Sequence, residues 1–179
     1  MRDVMLDLET FGLKPGHIIR SIGAVEFDIT TGKLGDEFYI NIDEFSCITL
    51  GMTRDQGTVD WWNKPENAGA QAQLLVDVVP VLVACNQFAA FFRNTGAQFI
   101  WSQGSNFDGV LLEATMARAG CTVPWKYHSA LDTRTAYRMA KFDPWAIKRD
   151  GVHHNALDDA KHQVVCVHQS WLKIHGEKS

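Results

Sequence analysis

Two carboxylates, Asp7 and Glu9, stand two residues apart inside the stretch Val4-Met5-Leu6-Asp7-Leu8-Glu9-Thr10. The residues around them are apolar and strand-forming, which predicts a buried N-terminal β-strand. Strand side chains alternate faces, so both acids share one side, ~6–7 Å apart along the strand. An unpaired buried carboxylate is very costly, so a core strand carrying two needs a basic partner or divalent cations. Hard oxygen ligands of this kind suit Mg²⁺ or Mn²⁺. An edge strand with both acids in solvent would also account for the pair alone. The remaining motifs decide.

Ser102-Gln103-Gly104-Ser105-Asn106-Phe107-Asp108 follows one predicted strand and opens a predicted helix. Asp108 then stands at a strand-to-helix junction beside the end of the first strand, where open α/β sheets tend to place their sites. A plain helix cap is the competing account, since Asp is a favoured capping residue. A third group, His153-His154-Asn155-Ala156-Leu157-Asp158-Asp159-Ala160, puts histidines in a loop and acids in the first turns of a long helix. The helix dipole alone favours acids there. Zinc is disfavoured, because adjacent histidines rarely share one ion and no cysteine or third histidine lies at ligand spacing.

The elements that must hold these residues are legible as periodicities. A first strand runs to about Leu8, and a second from Ile18 to Phe27. Thr30-Thr31-Gly32-Lys33 reads as a hairpin turn into a third strand near Glu37 to Ile42. Helical spacing runs from Ala68 through Phe92, with a break at Pro80, and Gln98 to Trp101 fits a short central strand. Further helices are predicted from Asp108 to a Gly120 stop, from Asp132 as cap to Met139, and from Asn155 to Ile174. Strands first, then alternating helix and strand, imply an α/β domain with a mixed sheet. With no repeat or linker, residues 1–175 are expected to form a single domain, followed by a short tail at 176–179.

Composition narrows the function. At 179 residues and 46% hydrophobic content the chain can bury one sizeable core. No stretch approaches the ~20 apolar residues of a membrane span, and a start straight into an acid-bearing strand is not how a secretory leader reads. Cys47, Cys85, Cys121 and Cys166 are scattered without a Cys-x-x-Cys pair. That pattern implies a reducing compartment, with the cytoplasm as default. A net charge of −4 argues against extended gripping of duplex phosphates. It still permits an enzyme that takes one strand end into an acidic site, because bound cations reverse the local charge.

The ordered set Asp-x-Glu, Asn-Phe-Asp and His-x-Ala-x-x-Asp resembles the DEDD exonuclease superfamily, and within it the DEDDh subgroup with His in the third motif. The resemblance runs from about residue 4 to residue 172. It implies a ribonuclease H-like fold and a 3′–5′ exonuclease. Thr58-Val59-Asp60-Trp61-Trp62 is similar to a compact stand-alone branch often labelled exonuclease VIII-like. Carried over by position, the resemblance makes Asp7, Glu9, Asp108 and Asp159 ligands of two divalent metal ions, Mg²⁺ or Mn²⁺, and His154 the general base. His154 lies two before Ala156 and five before Asp159, as the family pattern requires. Pairing His153 with Asp158 keeps the interval but puts Asn155 where the family has Ala.

Such an enzyme removes nucleoside 5′-monophosphates from the 3′ ends of single-stranded DNA or RNA, or from 3′ overhangs. Aromatic stacking on terminal bases supplies ~1–3 kcal/mol each without reading sequence. Phe11 and Phe107 flank two of the acids, and one of Trp61 and Trp62 is expected in the core with the other nearer substrate. The backbone of Leu8 and Thr10 is expected to meet the terminal ribose, as in the family. Arg134 fits a phosphate contact or a surface position equally. No membrane partner is expected; a homodimer is, since several relatives pair. A ribonuclease H-like endonuclease and a non-catalytic, polymerase-associated binding module are the alternatives. The His-x-Ala-x-x-Asp motif speaks against the first and the filled acid positions against the second.

Overall fold

The computed structural model describes residues 2–104 and 106–176. Ser105, inside the second motif, and residues 177–179 of the expected tail lie outside the described residues. Among the described residues, five strands form one sheet in the order β3-β2-β1-β4-β5. They are β1 (Asp3–Thr10), β2 (Ile19–Phe27), β3 (Leu34–Asn41), β4 (Phe99–Ser102) and β5 (Ala130–Asp132). The first three pair antiparallel, while β1/β4 and β4/β5 pair parallel. An opening antiparallel meander continued by two parallel strands is therefore the observed topology, and the sheet is mixed as expected.

Among the described residues, seven α-helices accompany the sheet: α1 (Glu44–Thr49), α2 (Gln56–Trp62), α3 (Ala68–Gln73), α4 (Val81–Thr95), α5 (Asp108–Arg118), α6 (Thr133–Ala140) and α7 (Ala156–Ile174). The expected break at Pro80 is observed: the helical spacing after Ala68 divides into α3 and α4 with a turn between, and Pro80, which cannot donate a backbone hydrogen bond, becomes the N-cap of α4. Two differences from the expected elements stand out. β5, only three residues long, is too short to carry an alternating pattern. α1 and α2 are each one to two turns, started by Asp43 and Asp55 side chains that accept from Ser46 and Thr58 backbone N–H groups.

Central strand β1 separates two cores. Val4, Leu6 and Leu8 face a large cluster with Ile22, Phe88, Leu111 and Leu112. Met5 faces the opposite way, into a smaller cluster with Val25, Phe27, Val164 and Val167 of α7. Asp7 and Glu9 follow Met5 on that second face by the two-residue period of a strand. The acids thus replace the apolar residues where the smaller core runs out, at the C-terminal end of β1.

Candidate active site

Four segments converge on the end of β1. Asp7 and Glu9 come from the strand itself. Asp108 is the first residue of α5 and is 2% exposed. Asp159, in the first turn of α7, is 9% exposed, and Glu9 is 8% exposed. Asp7 keeps partial contact with solvent, as does His154, so the cluster is largely buried but not sealed. Ligand atoms of Glu9, His154 and Asp159 lie within 4.8 Å of one another.

Gly23 is what lets α7 deliver Asp159. It lies directly across from Asp7 in the β1/β2 ladder. A Cβ there would sit 2.2 Å from the Ala156 carbonyl carbon and the Leu157 nitrogen. The helix therefore starts against bare backbone. Asn155 caps it, its Oδ1 accepting from Leu157 and Asp158 N–H groups at 3.1 and 3.2 Å.

The two His–Asp registers separate in space. His154 packs into the cluster, while His153 is exposed. Asp158 turns away from the cluster and accepts from the Val152 N–H at 2.8 Å, tying the preceding loop to the helix. His154 has φ +64, a left-handed conformation uncommon outside glycine. Its ring lies edge-on to Trp61 at 4.8 Å, and its Nε2 is 2.8 Å from His153 Nδ1.

The electrostatics are those of crowded acids. Desolvation pushes Asp7 well above the carboxylate range, and the charges of Asp108, Glu9 and Asp159 push the same way. Glu9 is also raised well above its ordinary value, by burial and then by Asp159 and Asp108, against the pull of Arg20 and Arg149. Burial takes Asp108 up to about 7, despite hydrogen bonds from the Leu8 and Gln103 backbone and the nearby Arg134 charge. Asp159 is raised by burial and held back by Arg149, which forms an ion pair with it. His154 is lowered, first by burial and then by His153 and Arg149. Cations thus oppose the acids only in part. A set of hard oxygen donors, each easier to ionise beside added positive charge, fits divalent cations.

The aromatic residues fall into two groups. Trp62 is 1% exposed and donates from Nε1 to the Thr10 carbonyl at 2.9 Å. Of the expected core-and-substrate pair, Trp62 is thus the one in the core, its ring without a free face for a base, and it is set aside as a stacking residue. Phe11 is also buried, under the Arg20 guanidinium at 4.3 Å. The side chains of Leu8 and Thr10 are buried, leaving backbone as what they can offer, and the Thr10 hydroxyl donates to the Gly12 carbonyl at 2.8 Å. Trp61 and Phe107 are partly exposed. Arg134 is exposed beside Gly104 and within electrostatic reach of Asp108.

Sequence reasoning passed over three residues here. Gln163 donates from Nε2 to Asp7 Oδ1 at 2.6 Å, Arg149 pairs with Asp159, and Arg20 lies buried against Phe11 and Trp62. Only Gln163 left a signal, as the polar residue four positions after Asp159 on a helix face that is otherwise apolar.

A mixed sheet thus gathers acids and a histidine at the end of its central strand. Residues 2–171 match the model of the 3′–5′ exoribonuclease Rv2179c-like domain, and the chain belongs to that family. Dependence on divalent metal comes with the family. The narrower exonuclease VIII-like branch stays an expectation of the sequence alone. No curated protein matches in sequence. Among solved structures, E. coli exonuclease I in complex with a dT13 oligonucleotide superposes with a TM-score of 0.68 at 14% identity, over 96% of this chain and 41% of that one. Cell-death related nuclease 4 gives 0.67 at 13% identity, over 94% and 62%. The nuclease domain of 3′hExo, a DEDDh family member bound to rAMP, gives 0.51 at 17% identity, over 95% and 91%. The chain thus spans under two thirds of the first two relatives, and at these identities the likeness is one of fold. No described helix is long and apolar enough to cross a membrane.

Proposed function

We propose that this protein is a two-metal 3′–5′ exonuclease that removes nucleoside 5′-monophosphates from free 3′ ends of single-stranded nucleic acid or 3′ overhangs. RNA is the first substrate to consider, from the family's description as exoribonucleases. The observation that carries the reading is the gathering of Asp7, Glu9, Asp108, His154 and Asp159 from separate segments to one point. Asp7, Glu9, Asp108 and Asp159 would hold two ions, Mg²⁺ or Mn²⁺. Such ions activate a water and stabilise charge on both the attacking and the leaving oxygen.

The chain's own groups do the rest. His154, neutral near pH 7 because its pKa is lowered, takes the proton of the attacking water. Two neighbours hold its ring in place, Trp61 against one side and His153 at Nε2. Trp61 and Phe107 offer partly exposed rings to the terminal bases, and the Leu8–Thr10 backbone meets the ribose. Arg134 would meet a phosphate of the strand. We further take residues 1–175 as one catalytic domain of a cytoplasmic enzyme that pairs as a homodimer.

The test uses 5′-labelled linear RNA and DNA beside circular single strands, with Mg²⁺, Mn²⁺ or EDTA. The expected result is a ladder shortening one nucleotide at a time, 5′-monophosphate products, resistant circles and silence in EDTA. Cleaved circles would replace this reading with a ribonuclease H-like endonuclease.

A further inference from the structure

Gln163 lies on α7 one turn after Asp159, so the two share a helix face. Its neighbours on that face are Ala160, Val164 and Val167, all fully buried. Gln163 itself is 2% exposed, the side-chain amide standing among apolar groups. Nε2 donates to Asp7 Oδ1 at 2.6 Å, but Oε1 is buried with no hydrogen-bond partner among the described residues. A half-satisfied buried amide destabilises relative to an apolar side chain of the same volume. Core stability therefore gives no reason for glutamine here; an aliphatic residue would continue the stripe. The reason lies in what the amide touches.

We propose that Gln163 is a positioning residue, whose amide fixes the Asp7 carboxylate so that one oxygen is engaged by protein and the other is presented to the shared divalent cations. The inference rests on the reading of Asp7 as a metal ligand. Asp7 lies on a strand and could otherwise turn about its side-chain torsions toward solvent, away from Glu9, Asp108 and Asp159. The amide blocks that rotation from a fixed point, because α7 is seated on the bare backbone of Gly23. A single helix thus carries Asp159 and also the group that orients Asp7, linking two ligands from opposite ends of the chain. Hydrogen-bonding partners behind metal ligands commonly contribute 10–100-fold to metal affinity.

The test is calorimetric titration of Mn²⁺ into wild type and Gln163→Met, with thermal unfolding in EDTA and nuclease activity across Mn²⁺ concentrations. Gln163→Met keeps the length and removes the donor. It is expected to unfold within a few degrees of wild type in EDTA but to bind Mn²⁺ about 10–100-fold more weakly. Activity is expected to recover to within a few-fold of wild type at saturating Mn²⁺. A purely structural role predicts the reverse, a lowered unfolding temperature with unchanged Mn²⁺ affinity, and that result overturns the proposal. Should Gln163→Met not fold, Gln163→Asn keeps the amide but falls short of Asp7, and the same loss of affinity is required of it. Wild type that neither binds Mn²⁺ nor degrades RNA would overturn the metal reading itself. Wild type that does both beside an equally tight Gln163→Met would overturn only the role of Gln163.

Discussion

His154 reaches the acid cluster from a left-handed backbone, a conformation that holds only where the surroundings enforce it. Here the enforcement is visible: Asp158 takes the Val152 N–H, Asn155 caps α7, and Trp61 blocks one side of the ring. A proton acceptor held this way needs little further ordering when substrate arrives. His154→Ala is expected to lower turnover by roughly 10²–10⁴-fold, the worth of a positioned general base. His153→Ala removes only a partner of that ring, and about a tenfold loss or less is expected in the same single-turnover assay. Equal losses would point to a shared role, and greater damage from His153→Ala would move the site to the other register. The acid limb of activity follows from the lowered His154 pKa. Burial, His153 and Arg149 hold the His154 pKa below the ordinary imidazole value of 6.5, which favours the neutral base. Activity is then expected to fall only as pH drops through that lower point, and a limb above 6.5 would contradict this assignment.

Among the elements, α7 is the one on which the site depends, and Gly23 is its seat. Gly23→Val puts a branched side chain where the helix backbone already stands. Overpacking of this kind costs about 1–3 kcal/mol. It also shifts Asp159 and His154 off Asp7, so activity is expected to drop by more than the stability loss explains. A variant that unfolds earlier yet degrades RNA at the wild-type rate would show that the close packing is incidental. The helix was legible in sequence because Ala156, Ala160, Val164 and Val167 recur at its period, and β1 because its acids interrupt an apolar run. Register across the sheet was not legible. Nothing local says that Gly23 faces Asp7, or that Gln163 lies within reach of a residue 156 positions earlier. β5 is too short to show a period, and α1 and α2 are set by caps and packing rather than by an apolar stripe. The tryptophan pair shows the same limit: helical geometry separates the two rings, but only the tertiary structure says that Trp62 is the buried one.

At the scale of the whole molecule, the acid cluster makes stability depend on pH and on cations. Asp7, Glu9, Asp108 and Asp159 all have raised pKa values in the folded protein, with Asp108 at about 7 against an ordinary 3.8. Between those limits the folded chain binds more protons than the unfolded chain, so stability falls as pH rises through the window. In EDTA the unfolding temperature is therefore expected to climb as pH is lowered from about 8 toward about 5. Adding Mn²⁺ at the alkaline end stabilises the ionised acids and is expected to recover that loss. A metal-free protein equally stable at both pH values would show that the acids are not crowded as the structure has them.

The central claim is that these four acids hold divalent cations for cleavage at a 3′ end, and metal binding tests it most directly. Mn²⁺ titrated calorimetrically into wild type is expected to fill two sites per chain. Asp7→Ala, which removes the acid at the centre of the cluster, is expected to lose at least one site while unfolding cooperatively in EDTA. Asp7→Ala that binds Mn²⁺ with wild-type affinity and stoichiometry would contradict the account.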